Sequence, residues 1–542
     1  MSKKMVRMPA LSSWMSLPYS IVFLFLLPVV IVLFSLFGDW SENWIHLYNY
    51  VLFDYVSNSA GLIIGVSILV LLIGTVTAWT ICNYNFHGKS FFEWALILPL
   101  SIPPYILAYT FTGLFDTYGS ANNIARDLFN LDHSFILFPT VRNIFGAITV
   151  FSFTLYPYVY LVSRSAFLNQ SQSMLEAGRM LGLNKMQIFY KLGLPIIRPA
   201  LISGLMLVIM ETLSDFGAVD HFAVQTFTTG IFRTWYGMYD LNTAMQLASF
   251  LLIFVGIFIT LERFSRKKAK YSSGSSTFKP VKLIQLSGIK SCIAFLVCFL
   301  PIFIGFIVPV TELAIWAYHH NLNFFDDKFI NTTINTINLA IIAALLCACF
   351  ALLVNFSIRF KKNTLSILSN SLLSMGYAVP GLILAVGIVQ LFTWIDRSLL
   401  MNTETVLTGS LVGLIFAYVI KSYALANSTF ESGFERISLS IDDSAKTLKS
   451  SGWNLLKRVH FPLLKTSFLT SMLLVISEVV KELPATLILR PFNFDTLAVS
   501  TYIYAAEERM IQASAPAIAI VIVGLIPIII LTKMIKSSRP TE

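Results

Sequence analysis

The sequence predicts an all-α polytopic membrane protein with twelve transmembrane helices arranged as two parallel six-helix repeats. Three observations predict this fold. The 542-residue chain is 56% hydrophobic and only 12% charged, whereas soluble proteins carry about 25% charged residues. Twelve apolar segments approach the length of about 20 residues that a bilayer-spanning helix needs. A short, largely polar segment between two of these helices recurs 267 positions later without a gap.

The twelve apolar segments divide evenly between the two halves of the chain. The first half contains those near residues 17–37, 60–82, 92–115, 143–167, 199–220 and 241–262. The second half contains those near residues 289–317, 333–358, 370–395, 407–430, 466–489 and 511–534. The first segment is too long for the core of a signal peptide and lacks a small-residue cleavage site, so we expect it to remain as a membrane helix.

Lysine and arginine residues predict the orientation. With a cytoplasmic N-terminus, 29 of the 38 basic residues fall on the cytoplasmic side, 7 outside and 2 within membrane segments. Basic residues concentrate on the cytoplasmic side of membrane proteins, so we expect both termini in the cytoplasm. The net charge of +10 then reflects membrane anchoring, and we do not expect nucleic acid as a partner.

The chain divides at a basic, Ser/Gly-rich stretch over residues 263–288, which predicts a flexible cytoplasmic linker. Its basic run is expected to rest on anionic membrane lipid. Residues 1–262 form the first predicted six-helix unit and residues 289–542 the second. Because each unit has six helices, the second enters the membrane from the same side, which predicts a pseudo-two-fold axis along the membrane normal.

The repeated segment predicts two cytoplasmic helical hairpins, at residues 173–195 and 440–462. Ser173 and Glu176 have the spacing of a capping box, which begins a helix. Gly182 stands where this helix is expected to end, because glycine accepts the left-handed conformation. One such loop would be interpreted as an ordinary amphipathic connector. Two copies at matched positions favour a contact surface for two copies of a partner.

The hairpins resemble the loop signature of permease subunits of ABC importers, in which E-A-A is followed by three residues, a glycine, nine residues and I-x-L-P. The first hairpin carries Glu176, Ala177, Gly178, Gly182, Leu192, Leu194 and Pro195. The second, more divergent hairpin carries Asp443, Ser444, Ala445, Val459, Phe461 and Pro462. Gly178 replaces an alanine of the signature. Lys449 replaces its glycine, so the second helix break is expected to move to Gly452.

This resemblance implies the type I ABC importer permease architecture for each unit. It implies that each hairpin docks on one of two copies of an ABC ATP-binding subunit and carries its closure into the membrane. The chain contains no G-x-x-x-x-G-K-[ST] sequence, which is the phosphate-binding motif of many ATPases. We therefore expect a permease rather than an enzyme, with ATP and Mg on the partner subunit and no cofactor bound by this chain.

The segments after the hairpins resemble the matching regions of fused ferric-iron ABC importer permeases. They read SDFGAVDHFAVQTFTTGIFRTWYG and KELPATLILRPFNFDTLAVSTYIYAAEERM. The resemblance covers essentially the whole chain and implies an inner-membrane permease that receives Fe(III) from an extracytoplasmic binding protein and alternates between outward- and inward-open states. Thiamine permeases share the fused layout, and polyamine, sulfate and phosphonate permeases share the single unit, so these substrates stay open.

Two pairs of carboxylates are predicted within membrane helices, at matching positions of the two halves: Glu211 with Asp215, and Glu478 with Glu482. Their i, i+4 spacing places each pair on one helical face. Ionisable residues in membrane segments usually face a bundle interior or a wet path. One interpretation is an acidic lining of the translocation path, suited to a cation. The other is that they form interhelical hydrogen bonds, or pair with Lys481 and Lys421, and hold the bundle.

Prolines interrupt two matching helices, at Pro103 and Pro104 in the first half and at Pro380 in the second. Broken helices at corresponding positions indicate a translocation path or a hinge, and a simple proline kink is the alternative. We expect no tight metal site, because release of a substrate to the cytoplasm requires weak binding.

Two other classes of protein were weighed. A secondary transporter driven by an ion gradient would use the acidic pairs, but it leaves the duplicated hairpin unexplained. A membrane-embedded enzyme would be expected to carry a metal-binding or nucleophile motif, and the sequence contains no HExxH motif.

Overall fold

The computed structural model describes residues 11–130, 132, 135–168, 178, 180–267, 283–319, 326–360, 364–398, 406–448, 450 and 452–537. These residues are predominantly helical. The helices before the central linker are α1 (Leu11–Phe34), α2 (Asn43–His46), α3 (Leu52–Asn83), α4 (Lys89–Ala95), α5 (Pro104–Leu114), α6 (Ser120–Phe129), α7 (Ile144–Leu168), α8 (Lys185–Ile188), α9 (Leu194–Ser214), α10 (Gly217–His221), α11 (Phe227–Met238) and α12 (Leu241–Lys267).

The helices after the linker follow a similar order. They are α13 (Ile289–Ile302), α14 (Val308–His319), α15 (Asp327–Phe360), α16 (Thr364–Ser374), α17 (Gly381–Ser398), α18 (Leu411–Glu435), α19 (Leu439–Thr447), α20 (Trp453–Leu455), α21 (Phe461–Leu463), α22 (Lys465–Val480), α23 (Pro484–Leu489), α24 (Leu497–Ala506) and α25 (Met510–Ser537). Short 3-10 helices cover Ser35–Phe37, Leu98–Ser101 and Met375–Ala378. π-Helical turns cover Leu47–Val51, Phe189–Gly193, Phe303–Ile307 and Leu456–His460.

Ten helical runs in the described part of the chain are long and apolar enough to cross a membrane, or up to twelve if two bent pairs each count as one span. In one pair, Lys89–Ser101 and Pro104–Leu114 meet at 90°. In the other, Trp453–Leu463 and Lys465–Val480 meet at 75°. These runs follow the twelve apolar segments of the sequence in order. The predicted all-α polytopic fold is therefore confirmed.

The first compact unit comprises Met1–Gly38 and Asp326–Val499. Its centre is a bundle of α15, α18 and α22, and α1 packs against α15, α16 and α17. Helix α15 carries a series of buried small residues at Ala340, Ala343, Ala344, Cys347, Ala348 and Ala351. Small side chains let helix backbones approach closely, which is the main source of packing energy between helices in lipid. The ring of Phe25 on α1 meets that of Tyr423 on α18 edge-on at 5.6 Å.

The second compact unit comprises Asp39–Phe325 and Ser500–Glu542. Its centre is a bundle of α3, α7 and α9. Val159 on α7 lies between two glycines of the other helices. A Cβ atom on Gly74 would lie 2.9 Å from Cβ of Val159, and one on Gly204 would lie 3.1 Å from its Cα atom. Glycine is therefore required at both positions for the three helices to approach this closely.

The compact units do not follow the two halves of the sequence. Helix α1, which begins the first half, lies in the compact unit built mainly from residues 326–499. Helices α13 and α14, which begin the second half, lie in the other compact unit. The first helix of each predicted repeat is thus exchanged. The division of the sequence at residues 263–288 stays a prediction.

The predicted linker is ordered at its C-terminal end. Ile284–Gln285 (β2) pairs in parallel with Tyr84–Asn85 (β1), and Asn85 Nδ2 donates a hydrogen bond to Gln285 Oε1 at 3.0 Å. Residues 268–282 lie outside the described residues. The expectation of a flexible linker is therefore wrong for its last residues, because main-chain pairing fixes them to the loop after α3.

Asp240, in the turn between α11 and α12, anchors the segment after α1. Its Oδ2 atom accepts hydrogen bonds from Ser41 at 2.5 Å, Thr243 at 2.6 Å and Asn43 at 2.9 Å. Burial raises the pKa of Asp240, but the hydrogen bonds from Ser41 and Thr243 outweigh it and lower the pKa from 3.8 to about 2. The carboxylate thus stays charged and holds this turn over the physiological pH range.

The close contact at Val159 gives a first prediction. We expect Gly74→Ala to destabilise the second compact unit by about 1–3 kcal/mol, because the added methyl group forces α3 and α7 apart. The measurement is the midpoint of thermal unfolding of the purified protein in detergent. Gly256→Ala on α12 is the matched control, since its Cβ atom would meet nothing within 4 Å. Equal midpoints for the two variants would contradict the packing argument.

Candidate functional site

The first hairpin is described at residue 178 and from residue 180 onwards, so Glu176 and Ala177 lie outside the described residues. Gly178 is buried and helical. A Cβ atom there would lie 2.6 Å from Cδ1 of Leu192, in the second arm of the hairpin. An alanine at this position would require the side chain of Leu192 to shift.

Gly182 ends the helix before it, as the sequence predicts. Its φ angle is +77°, and the N–H group of Leu183 donates to the carbonyl oxygen of Gly178 at 3.1 Å. This six-to-one hydrogen bond is the mark of a Schellman C-terminal cap. A side chain at Gly182 would meet nothing within 4 Å, so its left-handed backbone is the reason for glycine there.

The second hairpin has the same backbone register. The N–H group of Ser450 donates to the carbonyl oxygen of Ala445 at 2.9 Å. These two residues lie 267 positions after Leu183 and Gly178, which form the matching bond of the first hairpin. We expected the helix break to move to Gly452, and this expectation is wrong. The cap is made by main-chain atoms, so it forms in the same register without the glycine. Gly452 has a φ angle of +55° and instead precedes α20. Lys449 itself lies outside the described residues.

Both hairpins enter their membrane helix through a π-helical turn. These turns, at Phe189–Gly193 and Leu456–His460, occupy matching positions of the two repeats. Each ends two residues before a proline, Pro195 in the first turn of α9 and Pro462 in α21. Proline lacks an N–H group and its ring clashes with the carbonyl group four residues earlier. The widened turn relieves this clash. π-Turns are frequent at functional sites.

Different side chains fasten the two hairpins to their units. In the first, the ring of Trp79 at the end of α3 lies 5.0 Å from that of Phe189. A Cβ atom on Gly193 would lie 3.1 Å from the same indole. In the second hairpin, the position matching Gly193 is His460. The first hairpin is therefore held by apolar packing, and the second carries a titratable group at the same place.

A buried charged cluster fastens the second hairpin to the end of α15. Arg359 Nε donates to Asp442 Oδ2 at 2.6 Å, and its Nη atoms donate to the carbonyl oxygens of Phe434 and Ile437 at 2.7 and 2.8 Å. His460 Nε2 lies 3.1 Å from Asp442 Oδ1. Sequence analysis missed this cluster. Its one signal was an arginine at the end of a long apolar helix.

The first acidic pair does not lie within one helix. Helix α9 ends at Ser214, and Asp215 follows in an extended conformation with ψ of 140°. The carboxylate of Asp215 accepts a hydrogen bond from the N–H group of Ala218 at 2.8 Å, at the start of α10. The expectation of an i, i+4 pair on one helix is therefore wrong, because Asp215 caps the next helix. Glu211 remains on α9.

The second pair repeats this arrangement and adds two lysines. Helix α22 ends at Val480. Glu482 accepts hydrogen bonds from the N–H groups of Ala485 and Thr486, both at 3.2 Å. Its Oε1 atom also lies 3.3 Å from Nζ of Lys421. Glu482 therefore caps α23 and pairs with Lys421 of α18.

Glu478 is also paired, with Nζ of Lys481 at 2.9 Å. The acidic pair of the second half is therefore charge-balanced by two lysines. The pair of Glu478 and Lys481 is local, whereas the pair of Glu482 and Lys421 connects the end of α22 to α18. A role of Glu211, Asp215, Glu478 and Glu482 in lining a translocation path stays a prediction.

The prolines mark real helix breaks in both halves. Pro103, with φ −58° and ψ 145°, separates the 3-10 turn Leu98–Ser101 from α5. Pro380 separates the 3-10 turn Met375–Ala378 from α17 and accepts the first helical hydrogen bond, from Ile383. Among the described residues, no group of three or more His, Cys, Asp or Glu side chains is placed to hold a metal ion.

Comparison with known proteins finds one family twice along this chain. The family is described as binding-protein-dependent transport system inner membrane component, and it matches residues 70–262 and 340–538. Each match lies in one predicted repeat. The expectation of a fused two-unit permease is therefore confirmed.

Similar proteins are permeases of several substrates. The Fe(3+)-transport system permease protein FbpB 2 of Haemophilus influenzae is 27% identical over 486 residues, 89% of this chain and 90% of the relative. The putative ferric transport system permease protein FbpB 1 of the same species is 24% identical over 79% of this chain and 68% of the relative. The molybdate/tungstate transport system permease protein WtpB of Methanocaldococcus jannaschii is 25% identical over 38% of this chain and 78% of the relative.

The charged cluster gives a prediction about the second hairpin. We expect Arg359→Gln to destabilise α19 and its contact with α15 by about 3–5 kcal/mol, because it leaves the buried carboxylate of Asp442 without its cation. The measurement is hydrogen exchange of the amides in 439–447. The control is Arg509→Gln, which breaks an exposed pair with Glu507, and pairs of that kind contribute about 0–1 kcal/mol. Unchanged exchange in Arg359→Gln would refute the anchoring role.

Proposed function

This chain belongs to the binding-protein-dependent transport system inner membrane component family, and we propose that it imports ferric iron delivered by an extracytoplasmic binding protein. It is a multi-pass membrane protein of a bacterial inner-membrane transport family, and its relatives are permease subunits rather than enzymes. The observation that carries the substrate is the length of the match. A ferric relative aligns over 89% of the chain, but the molybdate/tungstate relative over 38%.

Two copies of an ATP-binding subunit dock on the two hairpins and supply the energy. The equal backbone register of the hairpins supports two equivalent sites. Exposed apolar side chains at the tips support a docking surface, since such residues mark protein contacts when they cluster. Leu181 is 81% exposed, and its counterpart Leu448 is 82% exposed. Asp443 and Ser444 are exposed on the same helix as Ala445, which faces inward.

Each hairpin transmits the closure of the ATP-binding subunits along a membrane helix. The first hairpin continues through its π-turn into α9, which runs without a break from Leu194 to Ser214. A helix of this length spans roughly 30 Å. The far end of α9 is the break capped by Asp215. A displacement of the hairpin therefore reaches a point deep in the membrane without passing through a flexible loop.

The second hairpin follows the same path through α22 to Glu482, across the additional bend of 75° before Lys465. Both paths thus connect a cytoplasmic hairpin to a capped helix break within the membrane. Alternation between outward- and inward-open states follows from displacements along these two helices.

The alternatives keep the architecture and change the substrate. A sulfate transport system permease protein of Salmonella typhimurium is 26% identical over 27% of the chain, and this favours an oxyanion as the second candidate. Thiamine, polyamine and phosphonate rest on shared layout alone. A transporter driven by an ion gradient would have no use for two matched hairpins.

The proposed substrate predicts a specific stimulation of ATP hydrolysis. The chain is reconstituted with its ATP-binding subunit, and binding protein is added in iron-loaded, thiamine-loaded, sulfate-loaded and empty forms. We expect the iron-loaded form alone to raise the hydrolysis rate several-fold. Stimulation by another loaded form would overturn the iron assignment and keep the permease. An assembled complex that transports substrate without ATP would overturn the docking proposal.

The coupling proposal predicts a defect at Gly182. Replacement by alanine costs roughly 1–2 kcal/mol in the left-handed conformation, so Gly182→Ala should distort the hairpin tip and lower the stimulated hydrolysis rate several-fold. Gly409→Ala is the matched control. Gly409 also has a φ angle of +77° with nothing within 4 Å of an added Cβ atom, but it lies outside both hairpins. Equal stimulated rates of ATP hydrolysis in the two variants would contradict a role of this turn in docking.

A further inference from the structure

Two neighbouring aromatic side chains of the second compact unit each carry a buried polar atom that has no hydrogen-bond partner among the described residues. Tyr109 on α5 is 3% exposed, and its hydroxyl group is unpaired. His221 ends α10, and its Nε2 atom is also buried and unpaired. The two rings meet edge-on with centroids 4.6 Å apart. Burial of an unpaired polar atom is costly, so two such atoms on side chains whose rings are in contact indicate a place for a ligand.

Oxygen donors surround this pair. Asp220 precedes His221, and its Oδ2 atom accepts a hydrogen bond from the hydroxyl group of Tyr502 at 3.0 Å. Asp215 and Asp220 both lie within electrostatic range of the Tyr109 hydroxyl. The local donor set is therefore the phenol of Tyr109, the imidazole of His221 and the carboxylate of Asp220, which the hydroxyl group of Tyr502 holds in place. Imidazole and oxygen donors suit iron, and tyrosine is itself an iron ligand in proteins.

The nearby cations do not exclude a metal ion. Arg233 Nη2 lies 3.7 Å from Asp220 Oδ1, and Arg142 Nη1 lies 3.5 Å from Glu508 Oε1. Arg142 thus pairs with a carboxylate outside the cluster, whereas Arg233 is close to Asp220 itself. The contact of Arg233 exceeds hydrogen-bond distance, so an incoming cation competes with it for Asp220 at low cost.

The position of the cluster in the fold agrees with a substrate path. Helix α10 follows the break capped by Asp215, and α5 follows the 90° bend at Pro103. Binding sites of membrane transporters form where helices are interrupted. The second repeat offers no counterpart. By the offsets of the two repeats, Tyr109 corresponds to Ala385 and His221 to Ile488.

We propose that Tyr109, Asp220 and His221 form a transient iron site on the translocation path, one per chain, with Tyr502 holding the carboxylate of Asp220 in place. The proposal rests on the proposed function, since iron is the substrate. A hydroxide carried by Fe(III) accepts the phenol proton of Tyr109 and leaves as water while the phenolate oxygen binds the metal. The oxidation state of iron does not change, and protonation of the phenolate by water releases the ion. The remaining donors are the Nε2 atom of His221 and the carboxylate of Asp220.

Iron binding can be measured directly on the assembled complex. Permease and ATP-binding subunits are placed in lipid nanodiscs and titrated with Fe(III) citrate. The readouts are the visible phenolate-to-Fe(III) absorption band and the Fe(III) electron paramagnetic resonance signal. We expect Tyr109→Phe to abolish the band and His221→Gln to weaken binding at least about tenfold.

Tyr156→Phe is the matched control, because Tyr156 on α7 is likewise buried with an unpaired hydroxyl group but does not contact His221. Wild-type binding is expected for this variant. An unchanged band in Tyr109→Phe, or equal losses in the control, would overturn the site. If Tyr109→Phe fails to assemble, the test uses His221→Gln instead. An unchanged Fe(III) electron paramagnetic resonance signal in that variant would overturn the site.

The site and the proposed function fail in different experiments. Uptake of radioactive iron into vesicles should fall several-fold in Tyr109→Phe and His221→Gln, while iron-loaded binding protein should still stimulate ATP hydrolysis, and iron should still be taken up, in the wild-type chain and in the control Tyr156→Phe. Normal uptake in both variants would overturn the site and leave the iron permease intact. Wild-type hydrolysis that responds to another substrate would overturn the function, and the titration would still report whether the cluster binds iron.

Discussion

A helix break inside a membrane leaves carbonyl groups of the helix that ends and N–H groups of the helix that begins where water cannot reach them, and this constraint shapes both halves of the chain. After Ser214 and after Val480 the chain breaks, and a carboxylate accepts the first N–H groups of the next short helix. Asp215 and Glu482 are thus needed for the breaks to exist at all. The bends, the short helices and the residues that follow them are positioned by these two caps.

The two hairpins share a backbone and differ in what fastens it. Caps, π-turns and prolines recur in the same register in both repeats. The first hairpin rests on an indole ring, whereas the second rests on a buried ion pair. Apolar packing tolerates small sliding movements, but a buried ion pair breaks in one step because each charge needs its partner. We therefore expect that a docked partner needs a different force to displace the first hairpin than to displace the second.

The sequence predicted features that depend on local composition. Apolar length located the spans, Gly182 located a helix end, and Pro103 located a bend. The sequence analysis placed Asp215 within a helix, because no proline or glycine at Ser214 indicates that α9 ends there. It also missed contacts between distant residues. Tyr109 and His221 are more than a hundred positions apart, and each looks like an ordinary core residue until the fold brings their rings together.

The exchange of first helices has a consequence for synthesis in the cell. Helix α1 leaves the ribosome first, but the segment it packs against begins at Asp326. At roughly 5–20 residues per second, the wait is about 15–60 s. The apolar window of α1 is only 28% buried even in the finished fold, so lipid alone suits most of its surface. Helix α1 can therefore insert into the bilayer early and pack against its compact unit later, after diffusing laterally within the membrane.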